Sequence, residues 1–178
     1  MERKSMETFV HYPEVMSAIQ NPGLLLGAYD RSGKPNFMTI GWGMLGISWG
    51  MPIWTVLVRP SRYTFDCMEH AAAFTVNALP ADMRKAVSIC GTQSGRDIDK
   101  IEVAGLSVEK SAFVNAPVET HSPIVYHCEV MSATDLEPGR VAPEIVESYY
   151  PGDDYHRVYF GRVLASEAAD DVRGILGL

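Results

Sequence analysis

Short apolar runs recur along the chain, and their pattern is typical of β-strands. Residues 24–29 and 37–42 are two such runs, and the turn sequence Asp-Arg-Ser-Gly begins directly after the first. This arrangement predicts a β-hairpin. Runs rich in β-branched and aromatic residues predict further strands over residues 53–58, 74–79, 124–132 and 155–165.

Three segments between these runs have helical signals. Ser61 is a favoured N-cap residue for a helix over residues 62–73, and Pro80 precedes a second over residues 81–89. A third, short helix is predicted over residues 143–149. The two strands predicted within residues 37–58 leave no room for a crossover helix and must therefore be antiparallel. We predict a mainly β fold, an antiparallel barrel with short helical insertions.

Composition favours one soluble globular domain. The 178 residues fit a single domain, with 47% hydrophobic and 21% charged residues. A net charge of −7 gives no general attraction to nucleic acid or to anionic membranes, although a local basic pocket for a small anion is compatible with it. The odd number of cysteines, without a C-x-x-C motif or a signal peptide, predicts free thiols in the cytoplasm.

One uncharged stretch, residues 35–58, is long enough to cross a bilayer. However, Gly50 and Pro52 would break a helix near its middle, and basic residues flank the stretch on both sides. Buried strands joined by a turn explain the stretch better. We therefore predict no membrane segment.

Several motifs for familiar chemistry are incomplete. Residues 41–46 read G-x-G-x-x-G, but only five residues separate Gly46 from Pro52, too few for the helix of a dinucleotide-binding unit. Glycines here would instead let a flat ring or a neighbouring backbone approach closely. The polar glycine loop 90–97 lacks the G-K-[ST] ending of a P-loop, so a nucleoside triphosphate site is not supported. The five histidines have no metal-binding spacing, and we predict no metal site.

The segment 59–64, Arg-Pro-Ser-Arg-Tyr-Thr, offers two guanidinium groups and two aliphatic hydroxyls between a predicted strand and helix. Arginine forks with Ser and Thr donors at a helix start form a phosphate site in many proteins. The alternative is a capped helix beside two solvated arginines. These residues alone leave both interpretations open.

Five segments in this order resemble the flavin reductase-like family of FMN-binding split-barrel proteins: residues 36–43, 52–64, 74–77, 91–100 and 155–161. The resemblance extends over about residues 24–163. It implies one FMN-binding domain over residues 1–178, a Greek-key split β-barrel, and a homodimer with FMN near the interface. It also implies FMN contacts from Asn36, Met38, Thr39, Gly41 and Trp42, from Arg59, Ser61, Arg62, Tyr63 and Thr64, and from Asn77, Ser94, Gly95, Lys100, His127 and Phe160, with His156 as a substitute for His127.

The resemblance further implies an oxidoreductase that passes hydride or electrons from NAD(P)H through FMN to a small-molecule acceptor. FMN carries the chemistry, so no catalytic side chain is expected. Lys100 is expected near the reduced ring or as a second phosphate contact. Two alternatives remain: a flavoredoxin-type electron carrier without fast NAD(P)H turnover, and a haem-binding barrel with His127 or His156 as axial ligand. NADH and NADPH are equally compatible with the sequence, and the acceptor is open.

Overall fold

Eight of the ten strands belong to one antiparallel sheet in the computed structural model, which describes residues 1–178. The strands are β1 (Lys4–Ser5), β2 (Leu24–Tyr29), β3 (Pro35–Ile40), β4 (Gly43–Ser48), β5 (Met51–Val58), β6 (Ala73–Ala78), β7 (Val108–Lys110), β8 (Pro117–Glu119), β9 (Ile124–Asp135) and β10 (Arg157–Ala168). The α-helices are α1 (Tyr12–Gln20), α2 (Tyr63–Met68), α3 (Arg84–Thr92), α4 (Lys100–Ala104), α5 (Pro143–Tyr149) and α6 (Val172–Leu176). None of them is long and apolar enough to span a membrane.

The large sheet runs β3-β2-β6-β9-β10-β5-β4, with β1 added beside β10 and β7 paired separately with β8. Its two end strands, β3 and β4, are consecutive in the chain and only Gly41 and Trp42 join them. Ile40 and Gly43 are three Cα–Cα steps apart, about 11 Å at most, so the sheet must curl until its ends come close together. No hydrogen-bonded ladder closes the seam between β3 and β4. The result is the predicted antiparallel barrel, split along one side.

The barrel encloses the main core, and a smaller core lies outside it. Leu24 and Leu26 of β2 point into the main cluster, whereas Leu25 joins the smaller cluster with Phe37, Val87 and others under α3 and α4. Successive side chains of a strand face opposite sides of the sheet, so β2 is buried on both faces. This second cluster holds α3 and α4 against β2 and β3.

Several sequence predictions match the structure, and others need correction. The strand 24–29 and the helix 143–149 coincide with β2 and α5. The predicted helix 62–73 ends at Met68, because the chain turns there into β6. Residues 35–58 form three strands and not the predicted two. The additional strand is β4, whose glycine-rich sequence is more typical of a turn. Helices α1, α4 and α6 were not predicted.

Ser61 is not the N-cap of α2, contrary to expectation. The N-cap residue is Arg62, and no side chain caps this end of the helix. The Ser61 hydroxyl donates instead to Asp154, 93 positions away along the chain. Because α2 has only six residues, its dipole adds little to an anion site.

Candidate functional site

A cleft lies where β3 and β5 end, opposite the loop after α3. It consists of two adjoining pockets that share Met38, Arg62 and Gly91: a wide pocket of about 190 Å³ and a narrow pocket of about 50 Å³. The predicted residues that line the wide pocket are Met38, Thr39, Gly41, Trp42, Arg59 and Arg62. Those that line the narrow pocket are Met38, Ser61, Arg62, Tyr63, Thr64, Ser94 and Lys100.

Close packing of the end of α3 and of the loop after it against β3 shapes the narrow pocket. A side chain on Gly91 would press on Thr39, with its Cβ 3.2 Å from the Thr39 Cβ. A Cβ on Gly95 would lie 2.6 Å from the Asn36 Oδ1. These two glycines therefore allow the end of α3 and the loop after it to approach β3 closely, which is the role we assign to Gly95. Asn36 in turn donates from Nδ2 to the Thr64 Oγ1 (2.8 Å) and ties β3 to α2.

Lys100 places a cation in the wall of the narrow pocket. Its side chain is only 6% exposed, and Nζ donates to the backbone carbonyls of Phe37 (3.0 Å) and Cys90 (2.9 Å). No carboxylate forms an ion pair with it, and burial lowers its pKa. An ammonium group has three donors, so one remains for a ligand.

Arg62 supplies a second cation without an acidic partner. It lines both pockets, and its guanidinium group makes no hydrogen bond or ion pair within the chain. All five of its N–H donors are therefore available to a ligand. In a chain with a net charge of −7, Arg62 and Lys100 concentrate positive charge at one point of the cleft.

Arg59 and Ser61 bind protein groups instead. Arg59 donates to the carbonyls of Tyr149 (2.8 Å) and Asp154 (2.9 Å), and the Asp154 carboxylate accepts bonds from the Ser61 backbone N–H (3.2 Å) and hydroxyl (2.6 Å). They thereby anchor residues 149–156, which we call the strap. Arg59 still lines the wide pocket, so its remaining donors can reach a ligand there.

The strap closes one side of the wide pocket with aromatic rings. The Trp42 ring lies edge-on to Tyr149 and tilted against His156, each at a centroid distance of 5.1 Å. His156 Nδ1 lies 2.8 Å from the Tyr150 hydroxyl oxygen. Burial, with help from the Arg59 charge, lowers the pKa of His156 to about 4, so the ring is neutral at pH 7. The sequence indicated His156 only as a substitute for His127.

Five predicted site residues line neither pocket. Asn36 and Gly95 lie in a small neighbouring cavity that shares Tyr63 and Lys100 with the narrow pocket. The other three, His127, Asn77 and Phe160, make contacts elsewhere. His127 faces the side of β9 that the segment after β7 covers, where Ser111 Oγ and Glu167 Oε2 each lie 2.8 Å from one of its ring nitrogens. Both nitrogens are thus engaged, which leaves none for a haem iron. Asn77 is fully buried in hydrogen bonds to Leu25, Thr75 and Glu119. Phe160 packs against Trp49, with ring centroids 5.8 Å apart.

Other lining residues were not predicted. Ile40 and Leu57 add apolar wall to the wide pocket, and Cys90 and Gln93 add to the narrow one. The sequence did contain one signal for Leu57, which lies in the predicted strand that ends directly before the predicted phosphate segment.

Comparison of folds places the molecule among split-barrel proteins. A flavoredoxin of Methanosarcina acetivorans is 25% identical, superposes with a TM-score of 0.66, and aligns over 84% of this chain and 69% of its own. A flavoredoxin of Desulfovibrio vulgaris (Miyazaki F) is 21% identical, with a TM-score of 0.67 over 84% and 70% of the two chains. An FMN-binding domain of a flavin reductases-like enzyme from Shewanella baltica is 15% identical, with a TM-score of 0.67 over 94% and 77%.

The family model of the flavin reductase like domain matches residues 16–176, and the chain belongs to this family. A curated relative, an uncharacterized protein of Aeropyrum pernix, is 27% identical over 146 residues. That alignment covers 82% of this chain and 49% of the relative, so the chain spans about half the relative's length.

Proposed function

We propose that the cleft binds FMN, with the phosphate in the narrow pocket at Arg62 and Lys100 and the isoalloxazine ring in the wide pocket. The observation that carries this proposal is a pair of cations without acidic partners: Arg62, which lines both pockets, and Lys100, which lines the narrow one. A phosphate would offset both charges through charge-assisted hydrogen bonds.

The donors of the narrow pocket fit a phosphate. Thr64 Oγ1 accepts a bond from Asn36, and Ser94 Oγ accepts one from the Arg96 backbone N–H. Neither hydroxyl donates to a protein group, so each keeps its own O–H for an anionic oxygen. Together with Arg62 and the third Lys100 donor, these hydroxyls converge on one small space.

The wide pocket fits a flat aromatic ring. Met38, Ile40 and Leu57 give it apolar walls, Trp42 and His156 add ring faces, and Gly41 and Gly91 contribute no side chain. Bound FMN supplies hydride and electron transfer. The protein then has three tasks: to hold the phosphate, to orient the ring, and to shield one side of it with the strap.

The activity we propose is that of an oxidoreductase in which NAD(P)H reduces FMN and a small-molecule acceptor reoxidises it. A flavoredoxin-type electron carrier is the second candidate. The specific observation in its favour is the similarity to two solved flavoredoxins. The two candidates share the FMN site and differ in the rate of reduction by NAD(P)H.

A homodimer in the cytoplasm is part of this proposal. Four large apolar side chains on and around β4 are exposed, at 41%, 60%, 62% and 62%, and form what we call the apolar face: Trp42, Met44, Ile47 and Trp49. Exposed apolar patches of this kind mark protein–protein contacts, and Trp42 also lines the wide pocket, so a partner here would lie near FMN. The three free cysteines support a reducing compartment.

Absorbance and stopped-flow spectroscopy test the proposed function. The purified chain, after addition of FMN and removal of the excess, is expected to retain a flavin spectrum. NADH or NADPH should then bleach it within the time of one turnover. Retained FMN without rapid reduction by either nucleotide would favour the electron carrier, and no retained FMN would refute the cofactor assignment.

A further inference from the structure

His156 has one ring nitrogen still available to a ligand. Its Nδ1 is paired with the Tyr150 hydroxyl, and no group of the chain bonds its Nε2. Only three side-chain nitrogens lack both a hydrogen-bond partner and contact with solvent, and they belong to Arg3, Trp54 and Arg162. The His156 Nε2 is not one of them, so this unpaired nitrogen is accessible to solvent. Because His156 is 8% exposed and lines the wide pocket, Nε2 reaches solvent through the cleft.

The bond to Tyr150 determines which nitrogen carries the proton. A phenol is a stronger acid than a neutral imidazole N–H, and an imidazole nitrogen is a stronger base than a phenol oxygen. The Tyr150 O–H therefore donates to Nδ1. The neutral ring, kept so by burial and by the Arg59 and Arg62 charges, then carries its hydrogen on Nε2.

Tyr150 is itself held firmly. Its side chain is 3% exposed and its ring stacks on Tyr155 at a centroid distance of 4.6 Å. The Arg59 guanidinium lies 5.0 Å from the centre of the Tyr150 ring. It also donates hydrogen bonds to the backbone carbonyls of Tyr149 and Asp154, which precede and follow Tyr150 in the strap. The hydroxyl that orients His156 thus has a fixed position.

We propose that Tyr150 is a positioning residue, which presents the His156 Nε2–H as a neutral hydrogen-bond donor to an acceptor atom of the ligand in the wide pocket. This inference rests on the proposed function, in which that ligand is FMN. Acceptor atoms of the ring gain negative charge when FMN is reduced, and a hydrogen bond to a charged acceptor is stronger. The pair therefore favours reduced over oxidised FMN.

The first test needs no flavin. In the wild-type chain, ¹⁵N NMR of the His156 ring is expected to show hydrogen on Nε2 alone. Tyr150→Phe should give a mixture of the two neutral forms. The matched control is Tyr155→Phe, which removes a hydroxyl without a hydrogen bond from the adjacent stacked ring. Hydrogen on Nδ1 in the wild type would overturn the proposal.

The second test measures dissociation constants for oxidised and reduced FMN under anaerobic conditions. Tyr150→Phe is expected to lower the preference for reduced FMN by about three- to tenfold, the value of one hydrogen bond, and Tyr155→Phe to leave it unchanged. An unchanged preference in Tyr150→Phe would overturn the positioning role. A wild type that binds no FMN would refute both the proposed function and this role. The NMR experiment needs no FMN, so it tests the hydrogen bond between Tyr150 and His156 independently of the proposed function.

Discussion

At the scale of single residues, the cleft is defined by charges that the fold leaves without partners. Burying an ammonium group costs several kcal/mol unless it is paired. Lys100 recovers part of this cost from two carbonyls and none from a carboxylate. Its place beside Arg62 therefore indicates that the missing negative charge comes from a ligand.

His156 makes stability depend on pH in a defined window. Its pKa is about 4 in the folded chain and about 6.5 when unfolded, so the unfolded state binds more protons between these values. The free energy of unfolding is therefore expected to fall as pH falls from 6.5 to 4. Replacing His156 by Gln should make this fall smaller, as measured by urea unfolding at several pH values.

Exposed His70 provides the control for this prediction, because His70→Gln removes a histidine outside the core. Burial also lowers the pKa of His127, so His156→Gln should reduce the pH dependence without abolishing it. Equal slopes in the wild type and in His156→Gln would contradict the assigned pKa.

At the scale of elements, close contacts between strands determine which positions must be glycine. Gly161 on β10 faces Phe74 and Cys128, which are paired across β6 and β9. A Cβ at Gly161 would overlap the Phe74 ring and lie 2.9 Å from the Cys128 Cβ. Both neighbours are fully buried, so neither can move aside easily.

Gly161→Ala is therefore expected to destabilise the barrel by about 1–3 kcal/mol, the usual cost of overpacking a core. Gly46→Ala on β4 is the matched control, because no atom lies within 4 Å of its added Cβ. Urea unfolding of both variants measures the difference. A Gly161→Ala variant as stable as Gly46→Ala would disprove the close packing.

The sequence predicted those strands and helices whose formation is determined by a short stretch of neighbouring residues. The strand β2 and the helix α5 follow from apolar runs and proline placement, but β4 was missed because Gly43 and Gly46 weaken its strand signal. The strap could not be predicted, since Arg59 and Asp154 meet across 95 positions of the chain. Ser61 had the right residue type for a cap, and a distant carboxylate engages it instead.

The candidate site was likewise predicted only in part. The resemblance indicated Arg62 and Lys100, which the fold brings together, and also His127, which it places elsewhere. Strand alternation alone could not show which face of β9 the segment after β7 covers. That depends on the packing of Ser111 against His127, a contact between separate elements.

At the scale of the whole molecule, the apolar face and the acidic charge bear on assembly. The edge of β4 away from β5 has no hydrogen-bonded partner, and its exposed apolar side chains would be covered by a second copy. A net charge of −7 keeps most of the surface solvated, which confines association to such a patch.

Sedimentation velocity is expected to show a dimer for the wild type and a monomer for Met44→Glu, because a buried carboxylate without a partner is costly at an interface. Val103→Glu, at an exposed apolar residue on α4 outside the apolar face, should remain dimeric. A monomeric wild type, or a dimeric Met44→Glu, would contradict assembly through this face.

The most direct test of the central claim compares FMN with riboflavin, which lacks the phosphate, by fluorescence titration. The wild type is predicted to bind FMN at least about tenfold more tightly, since each charge-assisted bond to the phosphate contributes about 1.5–3 kcal/mol. Arg62→Gln should remove most of this preference, and Arg31→Gln, the same charge change at an exposed turn, should preserve it. Equal affinity for the two flavins, or an unchanged preference in Arg62→Gln, would contradict the phosphate site.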